Sequence, residues 1–343
     1  MQVRARWPEG RAHFAGLQTC GSVWACPLCS AKVLAGRADE LVRVLDAWTE
    51  RGGRVVMVAL TMRHHQGQRL SDLWGGLSEA WRGATGSRAA RRALADLAGW
   101  VRRTESTVGA NGWHLHVHAL LFVPADTTDA EAQALGQTMF AGWLRRLVSL
   151  GFGAPVAEDG GLDVKLLDLS EAVGAVADYV AKGTYRETPQ SSADAALELA
   201  GPAKRGRREN RATMQLLADL ARDGLTEDAE LWHEWEQASR GRRAFEWSRN
   251  GFRAVMLAGA EEHSDEELAA ETDHGGELVC ELAPAQWSAI ARDRRLPVLL
   301  LELVEQSRTI EVARRVIELV LAERGIPPPL VDDAGEGAFG WSV

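Results

Sequence analysis

Cysteine, lysine and tyrosine are scarce in this chain of 343 residues, which holds four, four and two of them. Four cysteines are too few for a disulfide framework, and three of them crowd together at Cys20, Cys26 and Cys29, which suits a metal knuckle. Lysine occurs only as Lys32, Lys165, Lys182 and Lys204, so the abundant arginine reflects a compositional bias and says little by itself about phosphate binding. No apolar run approaches the roughly 20 residues that cross a bilayer, and the opening MQVRARWPEG lacks the apolar segment of a targeting signal. A cytoplasmic protein with no membrane partner is the expectation. No G-x-x-x-x-G-K-[ST] loop occurs, so no fused helicase is expected and any unwinding falls to a host helicase.

What is present is ordinary folded composition, 46% hydrophobic and 25% charged, enough for two or three domains. The net charge of −9 argues at first sight against a nucleic-acid partner. Up to residue 215, however, 26 Lys and Arg stand against 22 Asp and Glu, and the remainder holds 13 against 26. The acidity is local, and nucleic-acid binding by the first part stays open.

Residues 32–50 place Leu34, Leu41, Val42 and Leu45 at helical spacing, and Arg51-Gly-Gly-Arg54 ends that helix. The β-branched, apolar stretch 54–64 predicts a buried strand, and 71–100 one or two helices interrupted near 83–86. Residues 101–108 and 113–123 flank Gly109-Ala110-Asn111-Gly112, a hairpin signal. A helix over 129–150, a strand over 162–167 and a helix over 170–182 follow. This order predicts an α+β sandwich with helices packed on one face of an antiparallel sheet. Residues 187–211 read as a linker or exposed arm, and the chain beyond is mainly helical, with acidic stretches such as 261–267. The expected division is a cysteine-knuckle module over 1–45, a sheet domain over 46–200 and a mainly helical C-terminal region over 201–343.

His114, His116 and His118 alternate with Leu115, Val117 and Ala119, so in a strand the three imidazoles share one face and the other is wholly apolar. Ordinary packing seldom lines up imidazoles in this way. The hairpin supplies an independent check. A two-residue loop of Ala110-Asn111 sets Glu105 opposite His116, and one of Asn111-Gly112 sets it opposite His118; only a three-residue loop turns it away. Two imidazoles and a carboxylate on neighbouring strands form a half-shell for a divalent ion. Mg²⁺ or Mn²⁺ suits phosphate chemistry, and Zn²⁺ is equally compatible with the histidines.

In DLSEAVGAVADYVAKGTY, Ser170 or Asp168 can cap a helix with Val173, Val176, Ala177 and Val180 on its apolar stripe. Tyr179 and Lys182, three residues apart, lie off that stripe as neighbours. A phenol is only about 0.1% ionised at neutral pH, so its use as a nucleophile costs on the order of 4 kcal/mol unless a cation such as Lys182 or the metal helps. Tyr185, past Gly183, is the rival. For the cysteines, the Cys-Pro-Leu-Cys turn lets thiolates reach one structural Zn²⁺, which needs a fourth ligand. His13 is nearest in sequence, with Cys280 and His64 as alternatives. Arg205, Arg207 and Arg208 in the run AKRGRRENR, together with Arg242 and Arg243, can grip DNA phosphates or simply form a solvated basic surface.

Five ordered segments resemble one family. Gly112-Trp-His-Leu-His-Val-His118 and Tyr179-Val-Ala-Lys182 are similar to the His-hydrophobe-His and Tyr-x-x-Lys motifs of HUH endonucleases, and in particular of the rolling-circle replication initiators (Rep) of actinobacterial plasmids. CGSVWACPLCSAK, VALTMRHHQGQRL and GRRAFEWSRNGFR extend the resemblance over roughly residues 12–255. It implies an HUH endonuclease-like fold, with His116 and His118 as metal ligands, Glu105 as the third, and Tyr179 attacking a scissile phosphodiester of single-stranded or hairpin origin DNA. A 5′-phosphotyrosyl intermediate and a 3′-OH primer for DNA polymerase would result. Relatives often carry a second tyrosine where Gly183 stands, and some a proline where Leu115 stands. A relaxase or single-strand transposase of the same superfamily is the rival enzyme, and a catalytically inactive zinc-containing DNA-binding regulator the rival of another class.

Overall fold

The computed structural model describes residues 1–7, 10–16, 19–167, 211–258, 263–270, 276–293 and 295–329. The helix expected over 170–182 and the basic run near 205 lie outside these residues. The chain forms two compact units: Met1–Thr19, Glu187–Pro202 and Ala270–Val343 make one, Cys20–Arg186 and Ala203–Ala269 the other.

In the first unit, strands β1 (Gln2–Arg6) and β2 (Arg11–Ala15) form a hairpin, and β1 also pairs with β9 (Glu277–Glu281). Three helices, Pro284–Arg292, Leu296–Gln306 and Ile310–Glu323, share its core, where Val3, Cys280, Leu300 and Ile317 are fully buried. Burial pushes the Cys280 thiol up to about 12, as expected for a packing residue. The pairing of β1 with β9 places the N-terminal hairpin and residues 277–281 in one sheet.

The second unit is built on an antiparallel sheet of order β6-β3-β5-β4-β7, with β8 also on β4. Its strands are β3 (Arg54–Thr61), β4 (Gly99–Gly109), β5 (Gly112–Val123), β6 (Leu162–Leu167), β7 (Arg211–Ala212) and β8 (Phe245–Trp247). Period-two alternation orients β5: Leu115 and Val117 are fully buried, and His114, His116 and His118 are half-buried on the other side. A slip of one residue would exchange these faces. It would expose two apolar side chains worth about 1.5–3 kcal/mol each and bury imidazoles without partners.

The apolar face is covered by α2 (Leu70–Gly86) and α4 (Asp129–Ser149), whose Leu73, Leu77, Met139 and Trp143 pack with Leu60, Leu115 and Val117. Thr128 and Glu131 start α4 with reciprocal capping bonds. The two helices cross at Gly83 and Gly142, where a Cβ on Gly142 would come within 2.4 Å of the Gly83 carbonyl oxygen. Short helices α3 (Arg88–Ala93), α5 (Thr213–Asp223) and α6 (Thr226–Ser239) complete this layer. On α6, Glu234 accepts the Trp113 indole N–H at 2.7 Å, and Trp235 stacks on Trp113. The antiparallel α+β architecture read from the sequence is therefore present, with a cysteine cluster near the N-terminus and a helical C-terminal region.

Helix α1 (Pro27–Glu50) lies across the other face, but only at the end away from the hairpin. Leu41, Val44 and Leu45 pack there with Val55, Leu120 and Phe122, joined by Phe252 from α7 (Phe252–Met256). The hairpin end of that face, which bears the histidines, belongs to neither hydrophobic cluster.

Candidate functional site

The hairpin closes with Gly109 opposite Gly112, so Ala110 and Asn111 form the loop and Glu105 stands opposite His116. This is one of the two registers that the sequence left open. Gly112 takes φ +83°, a conformation that favours glycine, and its position against the backbone of His65 and Gln66 leaves little room for a side chain. On the far side of β5, Thr61 faces His116 and Ala59 faces His118.

Side chains follow the register. Glu105 Oε2 lies 3.1 Å from His116 Nε2 and 3.5 Å from His118 Nε2. The three donor atoms form a group with all separations within 4.8 Å. Adjacent ligand atoms 2.1 Å from one ion are about 3.0 Å apart in an octahedron and about 3.4 Å in a tetrahedron. The observed spacing thus fits a single divalent ion. His116 Nδ1 is buried with no hydrogen-bond partner among the described residues, and the ring's Nε2 edge faces Glu105. Burial would raise the Glu105 pKa, but the hydrogen bonds with His116 and His118 and the nearby Arg103 guanidinium outweigh it and hold the carboxyl well below its usual range. The carboxylate is ionised and ready to bind a cation.

His114 extends the row, its ring 5.2 Å from His116 and 4.9 Å from His64, but it is not in the trio. Burial, reinforced by His116 and His64, lowers its pKa to about 4, so it is neutral near pH 7. Arg103 is a neighbour that the sequence reading missed. It lies two residues before Glu105, opposite His118, and is 6% exposed, with its guanidinium 5.7 Å from the Phe245 ring. Its i−2 spacing from Glu105 on a strand was the available signal.

At another place in this unit, Cys20, Cys26 and Cys29 gather their sulfurs within 4.8 Å. Cys26 caps α1, Pro27 occupies the first turn, and the Cys29 N–H donates to Cys26 Sγ at 3.5 Å. Cys20 and Cys29 sulfurs are 3.8 Å apart, matching the edge of about 3.8 Å in a tetrahedron with 2.3 Å Zn–S bonds. Burial pushes the Cys26 thiol up to about 11, so without a cation it stays protonated. The Ser22 backbone lowers Cys20 against the effect of burial. Trp24 anchors the loop by donating to the Arg242 carbonyl at 2.8 Å while its own carbonyl accepts from Trp235 at 3.0 Å. His13 lies on β2 of the first unit, opposite Arg4, and is not in this group. Cys280 is in the core of the first unit, and His64 is beside His114.

Arg242 packs its guanidinium 4.9 Å from the Trp74 ring and donates to the Ala238 carbonyl, whereas Arg243 is exposed. Tyr179, Lys182, Tyr185, Arg205, Arg207 and Arg208 lie outside the described residues. No helix among the described residues is long and apolar enough to cross a membrane.

Fold and site together define an α+β protein whose antiparallel hairpin presents a carboxylate and two imidazoles to one point, with a three-cysteine cluster near its N-terminus. Residues 12–146 match the replication-protein family. Protein rep of Streptomyces lividans is 31% identical in an alignment covering 84% of this chain and 76% of that protein. The chain belongs to this family, the plasmid rolling-circle Rep proteins. A neomycin resistance protein of Streptomyces cyanogenus is 31% identical over 36% of the chain and 35% of its own length. Protein rep of Lentilactobacillus hilgardii is 29% identical over 42% and 46%. No solved structure matches.

Proposed function

We propose that this replication initiator is a metal-dependent endonuclease and strand transferase that nicks origin DNA through Tyr179. The observation that carries the reading is the convergence of Glu105, His116 and His118 on one point at the hairpin end of the sheet. Those residues would hold Mg²⁺ or Mn²⁺, which supplies charge stabilisation at a phosphate oxygen. The Tyr179 oxygen attacks phosphorus, the bond from phosphorus to the 3′ oxygen breaks, and the phenolic proton passes to solvent or a neighbouring base while the departing oxygen is protonated. A 5′-phosphotyrosyl link and a free 3′-OH remain, the latter a primer for a host DNA polymerase behind a host helicase. Lys182, three residues away, lowers the cost of phenolate formation. Cys20, Cys26 and Cys29 hold a structural Zn²⁺ whose fourth ligand is not among them.

Membership of the Rep family favours replication over the relaxase and transposase readings, and the intact donor trio weighs against an inactive regulator. The test uses a single-stranded origin oligonucleotide labelled at either end, with Mn²⁺. Wild type should give a denaturation-resistant complex with the fragment on the 3′ side of the break, the one that carries the new 5′-phosphate, and Tyr179→Phe should give none while still binding DNA. An undiminished adduct in Tyr179→Phe, mapping to Tyr185, overturns the assignment of the nucleophile.

A further inference from the structure

A cleft of about 960 Å³ opens between the cysteine loop, Arg37 in the middle of α1, the segment running from the end of α6 to α7, and residues 263–267. Its walls carry Arg37, Arg240, Arg242, Arg243, Arg249 and Arg253 together with the acids Glu236, Glu246, Asp265, Glu266 and Glu267. Glu246 is already engaged by Arg102 at 2.5 Å. Asp265, Glu266 and Glu267 all come from the single turn 263–267.

The arginines are arranged rather than scattered. Buried Glu40 accepts from Arg253 Nε and Nη2 at 2.5 and 2.8 Å and from Arg37 Nη1 at 2.7 Å, fixing two guanidinium groups from behind. Arg37 turns its other edge, Nε and Nη2, to Asp265 Oδ1 at 3.0 and 2.6 Å. A phosphate oxygen would use the same donors. Arg240, Arg243 and Arg249 are exposed and form no ion pair among the described residues. The Trp247 ring lies 5.9 Å from the Arg253 guanidinium and offers a flat surface for a base.

The cleft adjoins the metal face. Phe245 on its wall pairs with Arg103 on β4, and Arg103 pairs with His118 on β5, so the two places are two strands, about 10 Å, apart on one face of the sheet. We infer that this cleft takes the sugar-phosphate backbone of single-stranded DNA extending from the metal face, and that the acidic turn 263–267 competes with that DNA for Arg37. The inference rests on the nickase reading for its substrate, but its test needs no cleavage.

The experiment measures fluorescence anisotropy of a labelled single-stranded origin oligonucleotide with the full chain in EDTA, over a range of salt. The triple variant Arg240→Ala, Arg243→Ala, Arg249→Ala should bind about tenfold or more weakly, with a log–log salt slope shallower by about 2. The corresponding triple lysine variant should restore the slope, which a folding defect would not allow. Asp265→Asn with Glu266→Gln and Glu267→Gln should tighten binding. Unchanged affinity and slope in the alanine variant overturn the cleft assignment, as does loss confined to duplex DNA; no tightening in the neutralised variant overturns the competition. A Tyr179-independent adduct alongside a shallower slope would sink the nucleophile assignment and leave the cleft standing.

Discussion

Glu105, His116 and His118 stand on two strands paired along the whole length of a hairpin, whereas Cys20, Cys26 and Cys29 come from a loop and the first turn of a helix. In the first group each donor is aimed by a backbone ladder, and by Leu115 and Val117 locked into the core behind it. In the second, the sulfurs are held by the Cys29 N–H bond to Cys26 Sγ at 3.5 Å, a Cys20–Cys29 sulfur pair at 3.8 Å and the Ser22 backbone beside Cys20. The sheet-held trio is organised before any ion binds. The thiols, with Cys26 pushed up to about 11, need a cation to be ionised together. Metal should therefore be a functional addition at the hairpin and a structural requirement at the loop.

The sharpest way to break this contrast is Glu105→Ala. It should abolish Mn²⁺-dependent nicking and weaken Mn²⁺ binding by calorimetry at least about 100-fold, the upper range for losing even an outer partner of a metal site. The melting temperature should barely move, and a large drop would show that the hairpin needs its carboxylate to fold. Cys29→Ser should behave in the opposite sense. It should cost about 3 kcal/mol, a fraction of the roughly 10–16 kcal/mol that structural Zn²⁺ supplies in small fingers, while Mn²⁺ affinity at the hairpin holds. A strong chelator should destabilise wild type by a similar amount and the variant hardly at all; equal sensitivity would refute a zinc role.

Gly142→Ala sharpens the comparison from behind the sheet. Overpacking against the Gly83 carbonyl should cost about 1–3 kcal/mol in a denaturant melt without altering either donor group. The smallest expected effect is that of His114→Gln, which should change Mn²⁺ affinity by less than about 0.5 kcal/mol because His114 lies outside the trio. A tenfold loss by calorimetry would mean that the row of rings acts as one site.

Legibility followed the range of the interaction. The alternation of His114 to Ala119 declared a strand and its two faces, and the helix expected over 129–150 is found as Asp129–Ser149, because both signals are carried by residues close in sequence. The pairing of β1 with β9 had no local signature: its partners lie more than 270 residues apart, and each strand is five residues long. β8, three residues of Phe-Glu-Trp, is too short to show a period, yet it sets Phe245 beside Arg103. His13, the fourth zinc ligand suggested by proximity in sequence, lies on β2 and is not in the three-cysteine group.

By itself the sequence determined which residues could bind a cation and that the imidazoles share a face, since side-chain alternation along a strand is a property of the backbone. Only the tertiary structure decided which imidazole meets Glu105, because an Asn-Gly turn admits two registers and burial of the opposite face does not distinguish them. It also decided that α1 packs at the end of the sheet away from the hairpin, through contacts of Leu41, Val44 and Leu45 with residues as distant as Leu120, Phe122 and Phe252.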